Sequence, residues 1–179
     1  MMKYILTRDD ILAQLATCPP LVEGFAELDL QLQNNGFDLT LRTVAAFASS
    51  GQIALDNNER VLPQTEELDF GDDGLLALAP GQYRITYNEI VNLPKNIVAL
   101  GFPRSSLLRC GADMRSAVWD AGYSGRSESL LIVHNPHGLR LMRCARILQL
   151  VFFQLSKDSD GYCGNYQNEN IYPPPNNVS

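Results

Sequence analysis

Two short stretches hold the residue types that chemistry on a phosphate requires. PRSSLLR, from Pro103 to Arg109, follows an apolar run and packs two guanidiniums, two hydroxyls and backbone N–H groups into seven residues. Arginine makes bidentate, charge-assisted bonds to anionic oxygens, and serine is small enough to let the backbone come close. The same residues also read as a capped helix start with solvated arginines. WDAGYSGR, from Trp119 to Arg126, sets one carboxylate, Asp120, beside a turn of Gly122, Tyr123, Ser124 and Gly125. A tight glycine-flanked hairpin can bring backbone donors and acceptors against a planar ligand while an aromatic ring packs on it, and a carboxylate at its base can hold a water. The plainer alternative is a hairpin whose aspartate accepts from its own turn.

Other chemistries find less material. Cys18, Cys110, Cys144 and Cys163 lie far apart with no CxxC pair, the pattern of reduced thiols rather than of a disulfide framework. His134 and His137 sit three apart in HNPH without thiolate or carboxylate partners at zinc spacing, so a turn is the expected home for both. The H-x-E and P-C-x-x-C pattern of zinc deaminases is absent, so any deamination here would proceed without zinc.

The elements that must position these stretches are mostly strands. Thr7 with Asp10 forms a capping-box pattern, and Ile11, Leu12 and Leu15 mark one face of a short helix that Pro19 and Pro20 must end. From Leu28 the pattern alternates, with Leu28, Leu30 and Leu32 on one side. A turn at Asn34, Asn35 and Gly36 follows, then Phe37, Leu39 and Leu41 against Asp38, Thr40 and Arg42. On that reading Asp38 lies on the polar face of its strand. Further strands are predicted at 75–78, 83–87, 97–102, 130–133, 138–141 and 147–155. Many short strands between Gly, Pro and Asn signals, with one helix, predict a mainly β sandwich or barrel. Leu130–Val133 and Leu150–Phe153 are apolar throughout and predict strands covered on both faces, by the core or by another subunit.

The chain has 179 residues, a net charge of -6, a pI near 4.8 and 45% apolar content, which predicts one globular domain over 1–179. Residues 158–179 form a polar closing segment and a Pro-rich tail, PPPNNVS, that cannot make regular hydrogen-bonded structure. No apolar run is long enough to span a membrane and no signal-peptide core precedes the charged residues at the start, so a cytoplasmic location is expected. No Lys/Arg stripe of the kind that binds nucleic acid is present, although a few arginines and a divalent cation can handle a small triphosphate.

NNGFDL (Asn34 to Leu39), PRSSLLR, WDAGYSGR, ARILQLVF (Ala145 to Phe152) and GYCGNYQ (Gly161 to Gln167) follow the order and approximate spacing of motifs in the trimeric dUTPase and dCTP deaminase superfamily. With the helical start ILTRDDIL, the chain resembles the archaeal-type dUTPase branch over nearly its whole length. The resemblance implies a compact, jelly-roll-like β-barrel that forms a homotrimer with nucleotide sites at subunit interfaces and hydrolyses dUTP to dUMP and pyrophosphate with magnesium. It implies that Asp120 activates the water attacking the α-phosphorus, that Tyr123 packs on the deoxyribose and that the hairpin backbone around Asp120–Tyr123 reads the uracil edge. Arg104, Ser105, Ser106 and Arg109 would take the phosphates, with Gln149 a further contact. Asp38 would hold magnesium-bound waters, and Tyr162, Tyr166 and Gln167 would belong to the segment that closes over the nucleotide.

Deaminating relatives carry a glutamate ten residues after the aspartate that Asp120 matches; counted without gaps, that position is Leu130. Glu128 stands two residues earlier and is not expected to take the role, because leucine cannot shuttle a proton and Leu130–Val133 reads as apolar packing. Asn165 also replaces the lysine that deaminases tend to carry, and the glycine-rich final motif with Phe of ordinary dUTPases is missing. A dCTP deaminase, an enzyme doing both steps, and a non-catalytic nucleotide-binding module are the alternatives.

Overall fold

The structure, a computed structural model, describes residues 5–171, so the tail PPPNNVS lies outside the described residues. The chain opens on α1 (Arg8–Leu15), capped as expected: the Thr7 hydroxyl accepts from the Asp10 N–H, and the Asp10 carboxylate accepts from the Thr7 N–H. Ile11 is fully buried and Leu15 packs on the core, but Leu12, expected on the same face, is 47% exposed. One residue turns the helix by about 100°, which carries Leu12 out of line with the Ile11 and Leu15 pair.

After β1 (Val22–Glu23), the strand expected from Leu28 is instead one helical turn, α2 (Leu28–Gln31), followed by β2 (Leu32–Gln33). Alternation over four residues does not separate the two states. Here the Gln31 N–H donates to the Glu27 carbonyl at 3.0 Å, and the Gln31 carboxamide oxygen accepts from the N–H groups of Ala26 and Glu27. The Asn34–Asn35 turn forms as expected and returns into β3 (Gly36–Phe47), with Leu32 opposite Phe37.

The remaining strands are β4 (Thr65–Glu67), β5 (Leu75–Leu78), β6 (Gly81–Tyr87), β7 (Ile90–Asn92), β8 (Ile97–Pro103), β9 (Ala112–Arg115), β10 (Ser124–Gly125), β11 (Glu128–Val133), β12 (Leu139–Met142) and β13 (Arg146–Gln154). A second one-turn helix, α3 (Ser105–Arg109), joins β8 to β9. The main sheet runs β8-β13-β3-β6-β11-β9 with antiparallel pairings. Its two end strands, β8 and β9, come into contact, and Ala99 bridges to Trp119, so the sheet nearly closes into a barrel. Two small sheets, β1-β7-β10 and β12-β5, complete the mainly β fold that the sequence predicts.

Phe37, Leu39, Leu41, Ile85, Tyr87, Leu131, Leu148, Leu150 and Phe152 are fully buried and form the barrel's centre. A register shift between Arg146 and Leu148 lets Ile147 and Leu148 both turn inward, the usual effect of a bulge. In the Leu130–Val133 run of β11, Leu131 and Val133 are enclosed whereas Leu130 and Ile132 are half-buried on the outer face, so within one subunit this apolar run is covered on one side. On β3 the opposite holds: residues 36–41 are all buried, and Asp38 is 0% exposed rather than on an open polar face. Neighbouring strands flank β3 on both edges while α2 and Glu89 cover its outer side. The Gln31 amide donates to the Asp38 carbonyl and to the Glu89 carboxylate, which also accepts from the Thr40 N–H at 2.9 Å.

All four cysteines are exposed free thiols. His134 and His137 lie in the turn after β11, where the His137 N–H donates to the Asn135 side chain. Among the described residues, no helix is long and apolar enough to cross a membrane.

Candidate active site

The Asp120–Tyr123 segment is a tight turn: the Tyr123 N–H donates to the Asp120 carbonyl at 3.1 Å. Gly122 holds a φ of +86°, a region that costs L-residues strain, and a Cβ there would meet Gly161 Cα at 2.8 Å. The expected hairpin is not closed on itself. Trp119 pairs with Ala99 of β8, whereas β10 pairs with β7, so the turn's two arms are held by different strands. The barrel thereby fixes both ends of the turn. The Asp120 side chain projects into solvent and makes no hydrogen bond or ion pair among the described residues.

Beside it lies a cleft of about 340 Å³, lined by Trp119, Asp120, Tyr123, Glu128, Tyr162, Tyr166 and Glu169. A hydrogen-bonded chain forms its wall. The Trp119 indole N–H donates to the Ser127 hydroxyl, which lies 3.3 Å from the Tyr123 hydroxyl, and Tyr123 donates to Glu169 Oε1 at 2.7 Å. Tyr123 is only 5% exposed, and its ring meets that of Tyr162 edge-on at 5.7 Å. Burial, with the nearby Glu128 charge adding to it, pushes the Glu169 carboxyl up to about 7, against the pull of the Tyr123 hydrogen bond.

Sequence reasoning missed Glu169 and Ser127. An isolated glutamate near a polar chain end carries no periodic signal, and only folding the end back onto the turn brings it to Tyr123. The structure also places Glu128, whose role in deamination it does not test. Glu128 lines the Asp120 cleft, held by the Asn170 amide at 3.3 Å and facing Arg84 at 3.6 Å. Leu130, two residues on, opens instead into an adjoining groove with Phe47 and Arg115. Glu128 borders both hollows and Leu130 only the second, a placement that counting along the chain does not reveal.

The phosphate-type residues gather elsewhere. Arg104 caps the end of β8, and its Nε meets Asp38 Oδ2 at 3.0 Å; Arg146 Nη1 reaches the same oxygen at 3.4 Å, and the Gln33 amide donates to it at 3.2 Å. Burial raises the Asp38 carboxyl, opposed by the charges of Arg104 and Arg146. Ser105, Ser106 and Arg109 lie exposed on and around α3. Gln149 stands opposite Asp38 across the β13 and β3 pairing, with its side chain over Gly36. The sequence-predicted residues thus form two groups: Asp38, Arg104, Ser105, Ser106, Arg109 and Gln149 at one, and Asp120, Tyr123, Tyr162, Tyr166 and Gln167 at the other. Among the described residues, no hydrogen bond or ion pair joins the two groups.

The described residues of one subunit do not by themselves build a magnesium site. Among the described residues no group of three or more His, Cys, Asp or Glu side chains gathers to hold a metal. Asp38, expected to carry metal-bound waters, is fully enclosed, with Oδ2 taken by three donors and Oδ1 buried without a partner.

A mainly β barrel with a lone solvated carboxylate on a glycine turn, next to an aromatic cleft, agrees with the comparisons. The dCTP deaminase-like family matches residues 5–155, and the chain belongs to that family. A protein of Methanosarcina mazei named "Probable deoxyuridine 5'-triphosphate nucleotidohydrolase" is 46% identical over 93% of this chain and 98% of its own length. A protein of the same name from Methanococcoides burtonii is 45% identical over 93% of this chain and 99% of its own. The crystal structure of the 2'-deoxycytidine 5'-triphosphate deaminase from Agrobacterium tumefaciens shares the fold, with a TM-score of 0.65 at 22% identity over 86% of this chain. The present chain spans 49% of that protein's length.

Proposed function

We propose that this chain is a dUTP diphosphatase that hydrolyses dUTP to dUMP and pyrophosphate. The observation that carries the reading is the Asp120 carboxylate, unpaired and solvated on a rigid turn at the edge of the Tyr123 cleft. The name shared by relatives with 45–46% identity over nearly the whole chain supports the same substrate. In this reading Asp120 takes a proton from a water as its oxygen bonds to the α-phosphorus, and the bond from that phosphorus to the pyrophosphate oxygen breaks. Donors at the phosphates absorb the developing charge. Tyr123 packs on the deoxyribose, where a 2'-hydroxyl would collide with the ring, and Tyr162 and Tyr166 of the closing segment cover the nucleotide.

Arg104, Ser105, Ser106, Arg109 and Gln149 take the phosphates. Asp38 orients Arg104 by engaging its Nε, which leaves the outer edge of the guanidinium for an anionic oxygen. A magnesium ion brought in with the nucleotide would supply positive charge to the phosphates, beside the donors of Arg104 and Arg109. The separation of the Asp120 and Arg104 groups within one subunit supports a homotrimer in which each site draws Asp120 from one copy and the phosphate donors from the next.

A second reading, zinc-independent deamination of dCTP, is favoured by one observation, the Glu128 side chain in the Asp120 cleft. Incubating the protein with dUTP or dCTP and measuring pyrophosphate and ammonia separates the two. Pyrophosphate from dUTP without ammonia from dCTP is the expected result, and ammonia from dCTP that disappears in Glu128→Gln would establish the second reading. Asp120→Asn should lower dUTP turnover by about 10²- to 10⁴-fold while nucleotide binding persists; a near-normal rate would remove Asp120 from the role of base.

A further inference from the structure

The closing segment is docked along the turn that borders the cleft. The Asn168 N–H donates to the Ser124 carbonyl at 2.7 Å, and the Arg126 N–H donates to the Glu169 carbonyl at 2.9 Å. The Arg126 guanidinium donates to the carbonyls of Asn170 and Ile171, and the Asn170 amide returns a bond to the Arg126 carbonyl. The most specific contact comes from the Gln167 carboxamide. Its Nε2 donates to the Gly122 carbonyl at 3.1 Å, and its Oε1 accepts from the Ser124 N–H, also at 3.1 Å.

One carboxamide reaches both groups, so the Gly122 carbonyl and the Ser124 N–H present an acceptor and a donor side by side. A primary carboxamide satisfies that pair with its N–H and C=O held in one plane. The N3–H and adjacent carbonyl of a uracil ring offer the same donor and acceptor in the same planar O=C–N–H unit. The same segment also covers Tyr123, through Glu169 and the Tyr162 ring, although Tyr123 borders the cleft. Two features next to Asp120, a flat amide-reading edge and an aromatic ring, are therefore taken up together by residues 162–169.

We infer that the Gln167 carboxamide is an internal stand-in for the imide edge of a pyrimidine base, and that nucleotide binding displaces it from Gly122 and Ser124. The inference rests on the dUTP reading and adds a self-occlusion to it: the ligand-free chain fills its own base-reading edge. Any imide-bearing base must compete with Gln167, so part of its binding free energy goes into undocking the segment.

The test is a titration of the native protein, carrying ¹⁵N-labelled glutamine, with dUMP, followed through the side-chain amide signal of Gln167. The signal should move to the position of a free carboxamide as dUMP saturates. 3-Methyl-dUMP, which lacks the N3–H, should leave it in place. In parallel, Gln167→Ala should bind dUMP about tenfold more tightly, the worth of the two neutral hydrogen bonds that no longer compete. Saturation by dUMP with an unmoved Gln167 signal, or weaker binding by Gln167→Ala, would overturn the inference while leaving the dUTP reading intact. Failure of dUMP to bind either protein would overturn both.

Discussion

At the scale of single residues, the cleft borders one exposed acid and one that is half-buried. Asp120 faces solvent, whereas Glu169 is held inside with its carboxyl pushed up to about 7. Because the folded value lies above the ordinary 4.5, the stability that Glu169 lends to the docked segment is fully present below pH 4.5. It is lost as the pH rises through about 7, where a second charge appears beside Glu128. Limited proteolysis between residues 158 and 171 should therefore be faster at about pH 8.5 than at about pH 6. Glu169→Gln should flatten that dependence by keeping a neutral partner for Tyr123; an unchanged pH profile would show that Glu169 does not set it. Asp38 works differently, as a fully buried carboxylate between two arginines. Asp38→Ala leaves two guanidiniums without their common partner, at a cost of about 2–3 kcal/mol; this is below the range for a fully buried pair because both arginine side chains reach solvent. A urea unfolding midpoint equal to the native one would contradict this.

At the scale of elements, the Asp120 turn depends on its arms being tied to separate strands and on one glycine. Gly122→Ala forces a side chain into a positive-φ position and against Gly161 and the Tyr162 N–H, both at 2.8 Å. Strain of about 1–2 kcal/mol falls on the turn, and the approach of the closing segment is blocked. The expected outcome is a protein with a modestly lowered unfolding midpoint, faster proteolysis after residue 158 and a clear loss of dUTP turnover. Full turnover in this variant would show that neither the turn's shape nor the docked segment matters to the site. The α2 turn is an analogous case in which local pattern gave way to a specific contact. Gln31 caps Ala26 and Glu27 and also donates to Glu89, and these bonds select one helical turn where the leucine spacing alone suggested a strand.

At the scale of the whole molecule, the proposed homotrimer predicts that the two groups of site residues meet between copies. Asp120→Asn and Arg104→Gln, each prepared alone, should be nearly inactive; the glutamine keeps a donor for Asp38. Subunits of the two variants, unfolded together and reassembled at equal amounts, should regain about one quarter of native activity, since a random trimer pairs an intact Asp120 with an intact neighbouring Arg104 about one time in four. No recovery in a properly assembled mixture would place the whole site within one subunit. Much of this protein was determined by the sequence. The Thr7 and Asp10 cap, the Asn34–Asn35 turn, most of the strands and the glycine turn at Asp120 follow from local pattern, because capping, periodicity and positive φ act over a few residues. Tertiary structure alone decided that Asp38 would be enclosed by Arg104 and Arg146, that Glu128 rather than Leu130 would line the Asp120 cleft, and that Gln167 and Glu169 would close on the turn. Each of these depends on which distant segment covers a given face, and a covering contact between residues dozens of positions apart leaves no periodic mark in the chain.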